Sequence, residues 1–328
     1  MIDVVKEITE AEKRIRKYIR ETPLEYSHFL SQKGDSDVYL KLENFQVTGS
    51  FKIRGVLNKM LSLSEEEKRK RIITASSGNH GVAFAYATSK LGLNGIVFLP
   101  ENASPTKIKD IEQYNVELKF YGKDIVETEK FAREFAEKNG MIYIPPYNDP
   151  KIIGGQGTIG IELERELKEI DAVLIPVGGG GLISGMAGYL KNLNPNIKII
   201  GVQPENSAVM YHSIKAGKIL EIVSTPTLAD GTAGGIEKNS ITFDLCKKYV
   251  DDFILVSEKE IATAILLMLE RHHMVVEGAA ALSVAGYLKD PKRFKHKNVV
   301  LIISGCRLSL NILISLLKRD EDDKRTDI

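Results

Sequence analysis

Lys52 lies in the run Thr48-Gly49-Ser50-Phe51-Lys52-Ile53-Arg54-Gly55, where a strand-like segment gives way to helical spacing. A helix start sets the positive end of its dipole beside the amine, and Arg54 adds a second positive charge. Phe51 and Ile53 withhold water, which also disfavours the ammonium form. A lysine so placed can serve as the nucleophile of Schiff-base chemistry, although a lysine taken alone is far more often a surface group. A second chemical feature is Ser76-Ser77-Gly78-Asn79-His80-Gly81, again between a strand and a helix start. Its amides and hydroxyls make an anion nest suited to a carboxylate, and Asn79 can donate to an oxygen anion. The plainer reading is a helix N-cap served by Ser76 or Ser77, and both can hold together.

The third feature is Gly178-Gly179-Gly180-Gly181, between the apolar run 173–177 and the helical run 182–190. Bare backbone amides at a helix start suit an anion, while the same glycines could simply let a helix pack on a strand. Spacing discriminates among phosphate motifs. G-x-G-x-x-G begun at Gly178 or Gly179 needs glycine where Ile183 or Ser184 stands, and Walker A begun at Gly180 needs lysine where Met186 stands. The loop carries no cation of its own, so it suits a single dianionic phosphate held by amides. Other chemistries lack their motifs. His272 and His273 are adjacent rather than in H-E-x-x-H spacing, no G-x-S-x-G elbow occurs, and Cys246 and Cys306 are too few for a disulfide framework or a four-thiolate metal site. We expect no metal.

These residues need a scaffold. A length of 328 residues gives a prior of roughly two domains, and 43% hydrophobic with 27% charged residues is ordinary globular composition. Lys+Arg 45 against Asp+Glu 44 offers no basic excess for a nucleic-acid footprint. A charged start without an apolar signal core points to the cytoplasm. Residues 172–190 are uncharged and long enough to span a bilayer, but Pro176 and the glycines make a strand, a turn and a buried helix the better reading. Residues 299–317, interrupted by Arg307, read the same way, so no membrane anchoring is expected. Ile8, Ile15 and Ile19 predict an amphipathic first helix ending near Thr22-Pro23. Residues 38–42 alternate as a strand, and residues 51–61 resume helical spacing. The charged run 64–71 reads as a solvated helix, and the charged tail 318–328 as frayed. From residue 72 onward, strand-like and helix-like segments alternate, which implies parallel sheets with right-handed crossovers. Pro145-Pro146-Tyr147 marks a crossing between two α/β units with a ligand cleft between them.

Ser50-Phe51-Lys52, Ser77-Gly78-Asn79-His80 and the tetraglycine turn coincide in this one chain. Together with Tyr39-Leu40-Lys41-Leu42-Glu43-Asn44, Gly155-Gln156-Gly157-Thr158, Leu228-Ala229-Asp230-Gly231 and Ile303-Ser304-Gly305, they resemble the pyridoxal-phosphate enzymes of the tryptophan-synthase-β fold (fold type II). Within these, the likeness is to the serine/threonine dehydratase and serine racemase branch, and it runs from Thr22 to about Leu317. The resemblance implies an α/β fold of two parallel-sheet domains with pyridoxal 5'-phosphate in the cleft. Residues 1–62 and 144–328 would form the large cofactor-binding domain, and residues 63–143 a small mobile domain. No regulatory domain is expected after residue 317. By the same resemblance Lys52 would bind the cofactor covalently, Phe51 would pack on its ring, and Asn79 would bond its 3'-oxygen. Gly178, Gly179, Gly180 and Gly181 would hold the phosphate, and Ser304 would face the pyridine nitrogen. Ser76, Ser77, Gly78, Asn79 and His80 would hold the substrate carboxylate.

The implied reaction is β-elimination from a β-hydroxy amino acid such as L-threonine or L-serine, giving a 2-oxo acid and ammonia. Freed Lys52 would take the α-proton. A hydroxyl such as Ser304 would not keep the ring nitrogen protonated, which favours prompt loss of the leaving group. Ser77 is a branch point: racemase-like members use a serine there as a second proton donor, where many dehydratases have alanine. An amino-acid racemase is therefore the first alternative, followed by a β-replacement synthase and a non-catalytic ligand sensor. The resemblance also implies a homodimer. Three departures stand out. Gln203 and Val209 replace the acidic residues of the racemase cation site. Ser304-Gly305-Cys306-Arg307 replaces the usual Ser-Gly-Gly-Asn, and Glu277-Gly278 replaces Glu-Pro.

Overall fold

A computed structural model describes the backbone of residues 2–326. Helix α1 (Val4–Ile15) starts at Asp3, whose carboxylate accepts the Lys6 N–H at 3.0 Å, and it buries Val4, Ile8, Ala11 and Ile15 as one stripe. It gives way to a short 3-10 turn at Arg16–Tyr18, so it ends earlier than its periodicity predicts. Strand β1 (Leu24–Tyr26), helix α2 (His28–Gly34) and strand β2 (Asp37–Lys41) lead to α3 (Lys52–Leu61). Helix α4 (Glu65–Lys68) is one turn closed by a Ser64/Glu67 capping box, shorter than the charged run suggests.

The chain then builds the smaller sheet through β3 (Ile72–Ala75), α5 (Asn79–Leu91), β4 (Gly95–Leu99), α6 (Pro105–Glu112), β5 (Glu117–Phe120), α7 (Ile125–Lys138) and β6 (Ile142–Tyr143). Its four strands are parallel in the order β5-β4-β3-β6. Helix α8 (Pro150–Glu166) carries the chain back to β7 (Ala172–Pro176), α9 (Gly181–Leu193), β8 (Lys198–Pro204), α10 (Val209–Ala216), α11 (Ile241–Tyr249) and β9 (Asp252–Val256). The path closes through α12 (Glu258–His272), α13 (Gly278–Lys289), β10 (Asn298–Ile302) and α14 (Leu310–Thr326). Helix α14 takes in most of the charged tail expected to fray; Asp327 and Ile328 of that tail lie outside the described residues. The larger sheet runs β1-β2-β10-β7-β8-β9 and is parallel except for β1, which lies antiparallel on the edge of β2. Strands β1 and β9 and helices α2, α6 and α11 go beyond the elements read from sequence.

Both faces of the larger sheet are covered, which is why its strands read as continuous apolar runs. Along β10, Val299 and Leu301 face α12 and α13, while Val300 and Ile302 face α9 and the Ile159 and Leu163 side chains of α8. The uncharged stretch 172–190 resolves into β7, the glycine turn and most of α9. Among the described residues no helix is long and apolar enough to cross a membrane. Helix α3, placed with the larger unit from sequence, buries Ile53, Val56, Leu57 and Met60 in one cluster with Ile72, Val82, Phe84 and Val97 of the smaller sheet and its helices.

A buried ionic network anchors α3. The Arg54 guanidinium donates to both Glu43 carboxylate oxygens at 2.8 Å and to both Glu162 oxygens at 2.7 and 2.9 Å. Lys41 Nζ lies 3.0 Å from Glu162 Oε2 and donates to Thr22 O at 2.7 Å. These contacts tie the first turn of α3, whose first residue is Lys52, to α8 and to the turn after β2.

Candidate active site

Lys52 opens α3, and its ammonium donates to Pro146 O at 3.0 Å. Burial lowers its pKa to about 8, while the negative charges of Glu277 and Glu129 pull in the opposite direction. Arg54 does not supply the repulsion expected from sequence, because its guanidinium turns away into the Glu43–Glu162 network. The turn before Lys52 pairs with the end of β10. Phe51 N–H donates to Ser304 O at 3.2 Å, and Ser50 forms an antiparallel bridge with Gly305. The Lys52 ammonium lies 5.4 Å from the Phe51 ring centroid.

The glycine loop follows β7. Gly180 sits at φ +88°, a conformation side-chain-bearing residues rarely adopt, and it turns the chain into α9. The N–H groups of Gly181, Leu182 and Ile183 open this 13-residue helix and so lack intrahelical acceptors. A Cβ at Gly179 would lie 2.5 Å from the Tyr147 ring, so only glycine admits this approach. Tyr147 directly follows the Pro146 carbonyl that holds Lys52, so residues 146–147 connect the lysine to the glycine loop. Thr232 backs Gly178 on another side, since a Cβ there would meet Thr232 Cα at 3.0 Å. Bare amides, a helix dipole and no competing side chain are the donor set a dianionic phosphate requires.

The third loop follows β3. Gly78, not a serine, occupies the N-cap of α5, and Ser76 Oγ accepts the Gly78 N–H at 3.2 Å. The helix-opening amides of Asn79, His80 and Gly81 therefore have no capping side chain. The His80 imidazole is buried, with Nε2 3.1 Å from Ile144 O. Burial, aided by the Lys52 charge, lowers its pKa to about 3, so the ring is neutral. Only its backbone N–H is left for the anion nest. Asn79 Nδ2 donates to both Glu277 oxygens at 2.8 and 2.9 Å, leaving its buried Oδ1 without a partner. The Ser50 hydroxyl is likewise buried and unpartnered. These orphaned polar atoms flank the lysine turn and give the cleft hydrogen-bonding capacity for a polar ring. The three anchoring elements (amine, phosphate cradle and ring-facing polar groups) thus fit pyridoxal phosphate.

Sequence alone gives Glu277 and Thr232 no part in the site, and Pro146 and Tyr147 only that of a crossing between two units. Glu277 is buried at the N-cap of α13, accepts the Arg307 N–H at 3.0 Å, and has its pKa raised chiefly by burial. The available signal was a carboxylate directly before the Ala-rich run 278–285, where a charge needs a partner. At the position of the racemase-type cation site, Gln203 is buried, donates to Val177 O at 3.1 Å and accepts the Tyr211 N–H at 2.8 Å. Nearby Glu205 pairs with Lys289 at 3.5 Å. Among the described residues no cluster of three or more His, Cys, Asp or Glu could hold a metal.

Comparison with known proteins gives the family. The family model described as "Pyridoxal-phosphate dependent enzyme" matches residues 15–305. The L-threonine ammonia-lyase of Thermotoga maritima is 40% identical over 316 residues, covering 96% of this chain and 78% of that protein. The catabolic L-threonine dehydratase of Escherichia coli is 40% identical over 309 residues, covering 94% of each. Among solved structures, the processed form of threonine deaminase isoform 2 from Solanum lycopersicum superposes with a TM-score of 0.92 at 35% identity, covering 96% of this chain and 93% of that one. Maize serine racemase superposes with a TM-score of 0.90 at 31% identity, covering 98% of each. By fold and by family match, this chain belongs to the pyridoxal-phosphate dependent enzymes.

Proposed function

We propose that this chain is an ammonia-lyase that removes water and then ammonia from a β-hydroxy amino acid, L-threonine or L-serine, leaving the 2-oxo acid. The observation that carries the reading is the Lys52 amine, with its pKa lowered to about 8, between the glycine loop and the Ser76–His80 loop. The 40% identity to threonine ammonia-lyases and dehydratases supports the choice of substrate. In this proposal Lys52 would bind the cofactor aldehyde, Gly178–Gly181 the phosphate and Ser304 the pyridine nitrogen, with Phe51 packed against the ring; Asn79 would reach the ring 3'-oxygen only by turning toward it an Nδ2 hydrogen now given to Glu277. Bound there, the cofactor supplies an electron sink for the charge left when an α-proton departs.

The protein's own groups do the rest. The backbone N–H groups at the start of α5, with Ser76 and Ser77, hold the substrate carboxylate. Lys52 Nζ, an effective base near neutral pH because its pKa is lowered, takes the α-proton. The Cβ–O bond then breaks, and the hydroxyl takes the proton that Lys52 has gained and leaves as water. Water later returns to release ammonium, so the net products are the 2-oxo acid and ammonium. His80, held neutral and bonded to Ile144 O, fixes the loop rather than exchanging protons.

Residues 63–143 act in this proposal as the small domain that carries the carboxylate loop, with residues 1–62 and 144–328 as the large one. A cytoplasmic setting and a homodimer complete it; sedimentation equilibrium tests the second. Incubation of the purified protein with L-threonine or L-serine should release 2-oxobutanoate or pyruvate with equimolar ammonia, and Lys52→Ala should abolish both that activity and the visible absorption of the bound cofactor. Accumulation of the D-amino acid without any oxo acid would overturn the lyase reading. Ser77 on the carboxylate loop favours a second activity, racemisation by proton return to the opposite face, which chiral chromatography of residual substrate detects.

A further inference from the structure

Helix α6 makes two kinds of contact. On one side Ile111 packs on the first turn of α5, since a Cβ at Gly81 would lie 3.1 Å from Ile111 Cδ1. On the other, Lys107 and Asp110 are three residues apart and share a helix face. Both cross to residues beside the cofactor cleft. Lys107 Nζ lies 3.3 Å from Asp230 Oδ2, and Asp110 pairs with the Arg307 guanidinium. The charges alternate, positive to negative and then negative to positive.

Each distant partner is fixed to the site. Asp230 begins the turn whose Thr232 backs Gly178, and a Cβ at Gly231 would fall 3.7 Å from Glu277 Oε1. Arg307 gives its backbone N–H to Glu277 and a guanidinium N–H to Thr48 O at 3.1 Å, in the turn that leads to Lys52. Arg307 also stands where the usual family motif has asparagine, so its guanidinium is a departure of this chain. The exposures are 46% for Lys107, 63% for Asp230, 24% for Arg307 and 36% for Asp110. Pairs this open to water are individually weak and are screened by salt. They are therefore suited to orienting a helix reversibly rather than to stabilising the fold.

We propose that Lys107–Asp230 and Asp110–Arg307 form a two-point charged clasp that sets α6, and through Ile111 the Ser76–His80 loop, against the cofactor cleft. These four are positioning residues for substrate capture. The substrate in this statement rests on the proposed function, whereas the clasp itself rests on the contacts.

Two measurements on the holoenzyme separate those layers. The first is amide hydrogen exchange of the wild type and of the Lys107→Gln/Asp110→Asn double variant. Faster exchange in residues 105–112 that extends into residues 76–82, with the rest unchanged, supports the clasp. Wild-type exchange in residues 76–82 overturns it, whatever the substrate proves to be. The second is kinetic. With L-threonine, Asp110→Asn and Lys107→Gln should each raise KM about three-fold, with kcat within about two-fold, because each removes one weak pair. Wild-type KM should climb with salt between 20 and 500 mM NaCl (about the range over which screening becomes complete), and that of the double variant should stay nearly flat. The reversed pair Asp110→Arg/Arg307→Asp should restore KM relative to either single change. Unchanged KM with a wild-type salt slope, or a fall in kcat alone, overturns the clasp, whereas a holoenzyme that turns over neither L-threonine nor L-serine overturns the proposed function and leaves the exchange result to decide the clasp.

Discussion

Replacing Arg54 by methionine should cost far more than removing a cation at the protein surface. Its guanidinium is fully buried and makes five charge-assisted bonds, two to each of Glu43 and Glu162 and one to the Thr158 hydroxyl. Without it, Glu162 keeps Lys41, but buried Glu43 keeps only the Thr22 hydroxyl at 2.6 Å. Breaking a buried pair from one side costs about 3–5 kcal/mol, because a charge is left unpaired out of water. With a urea slope of about 3 kcal/mol/M, that lowers the unfolding midpoint by about 1–1.7 M. Arg54→Met/Glu43→Gln should recover more than half of the loss, because the unpaired carboxylate is then gone. The pH dependence follows from Glu162, whose pKa is lowered to about 2 by Arg54 and then Lys41 against the cost of its burial. A carboxyl depressed in the fold contributes stability that is fully present above its unfolded value, near 4.5, and is lost as pH falls toward 2. The gap between wild type and Arg54→Met should therefore be widest at pH 6–7 and shrink as pH drops below 4.5. Urea titrations of cofactor-saturated protein at pH 7 and pH 4 measure both effects. A midpoint loss under about 0.3 M, or a double variant no better than the single one, would refute the claim that the network holds α3 in place.

Three further outcomes test the site. Lys52 has a pKa of about 8 in the folded protein, so about a tenth of it is free amine at pH 7, against roughly one part in three thousand for an ordinary lysine. Covalent attachment of pyridoxal phosphate to the apoprotein should accordingly quicken about ten-fold per pH unit up to 8 and then level off; a rise that continues to pH 10 would contradict the lowered value. Gly179→Ala places a methyl 2.5 Å from the Tyr147 ring and should weaken cofactor binding about ten-fold or more in a spectroscopic titration, while circular dichroism stays unchanged. Ser77→Ala should suppress any racemisation of L-serine more than pyruvate release; equal loss of both would make Ser77 a carboxylate ligand only.

Strand β7, the glycine turn and α9 were readable because an uncharged stretch containing Pro176 and clustered glycines has few stable alternatives in water. The turn at Lys52 was readable because strand alternation changes there to helical spacing. Strand β1, with three residues and only Leu24 less than exposed, carries too short a pattern for period-two reading. Arg54 shows the limit of reasoning from neighbours in sequence. It is two residues from Lys52, yet its charge is spent on Glu162, more than a hundred positions away. His80 shows the same limit: the loop was legible as an anion nest, but only the position of Ile144 O reveals that the imidazole is committed to holding it.

The residues that were legible have a common location. Ser76 follows the end of β3, Gly178 follows β7, and Ser304 follows β10, each at the carboxyl end of a parallel strand. Parallel connectivity places all the strand-to-helix junctions of a sheet on one edge, which is where ligands bind in open α/β sheets. A motif reading that finds turns between strands and helices therefore finds the cleft without knowing the fold. Glu277 escapes that logic because it precedes α13, which is not entered from a strand at all. It reaches the site sideways, 198 positions from Asn79, and it is the residue through which Arg307 and the α5 loop meet. Arg307, which stands where the usual motif has asparagine, gives its backbone N–H to that lateral carboxylate, so the substrate preference of this chain is to be sought around Glu277 and Arg307 rather than in the glycine loop.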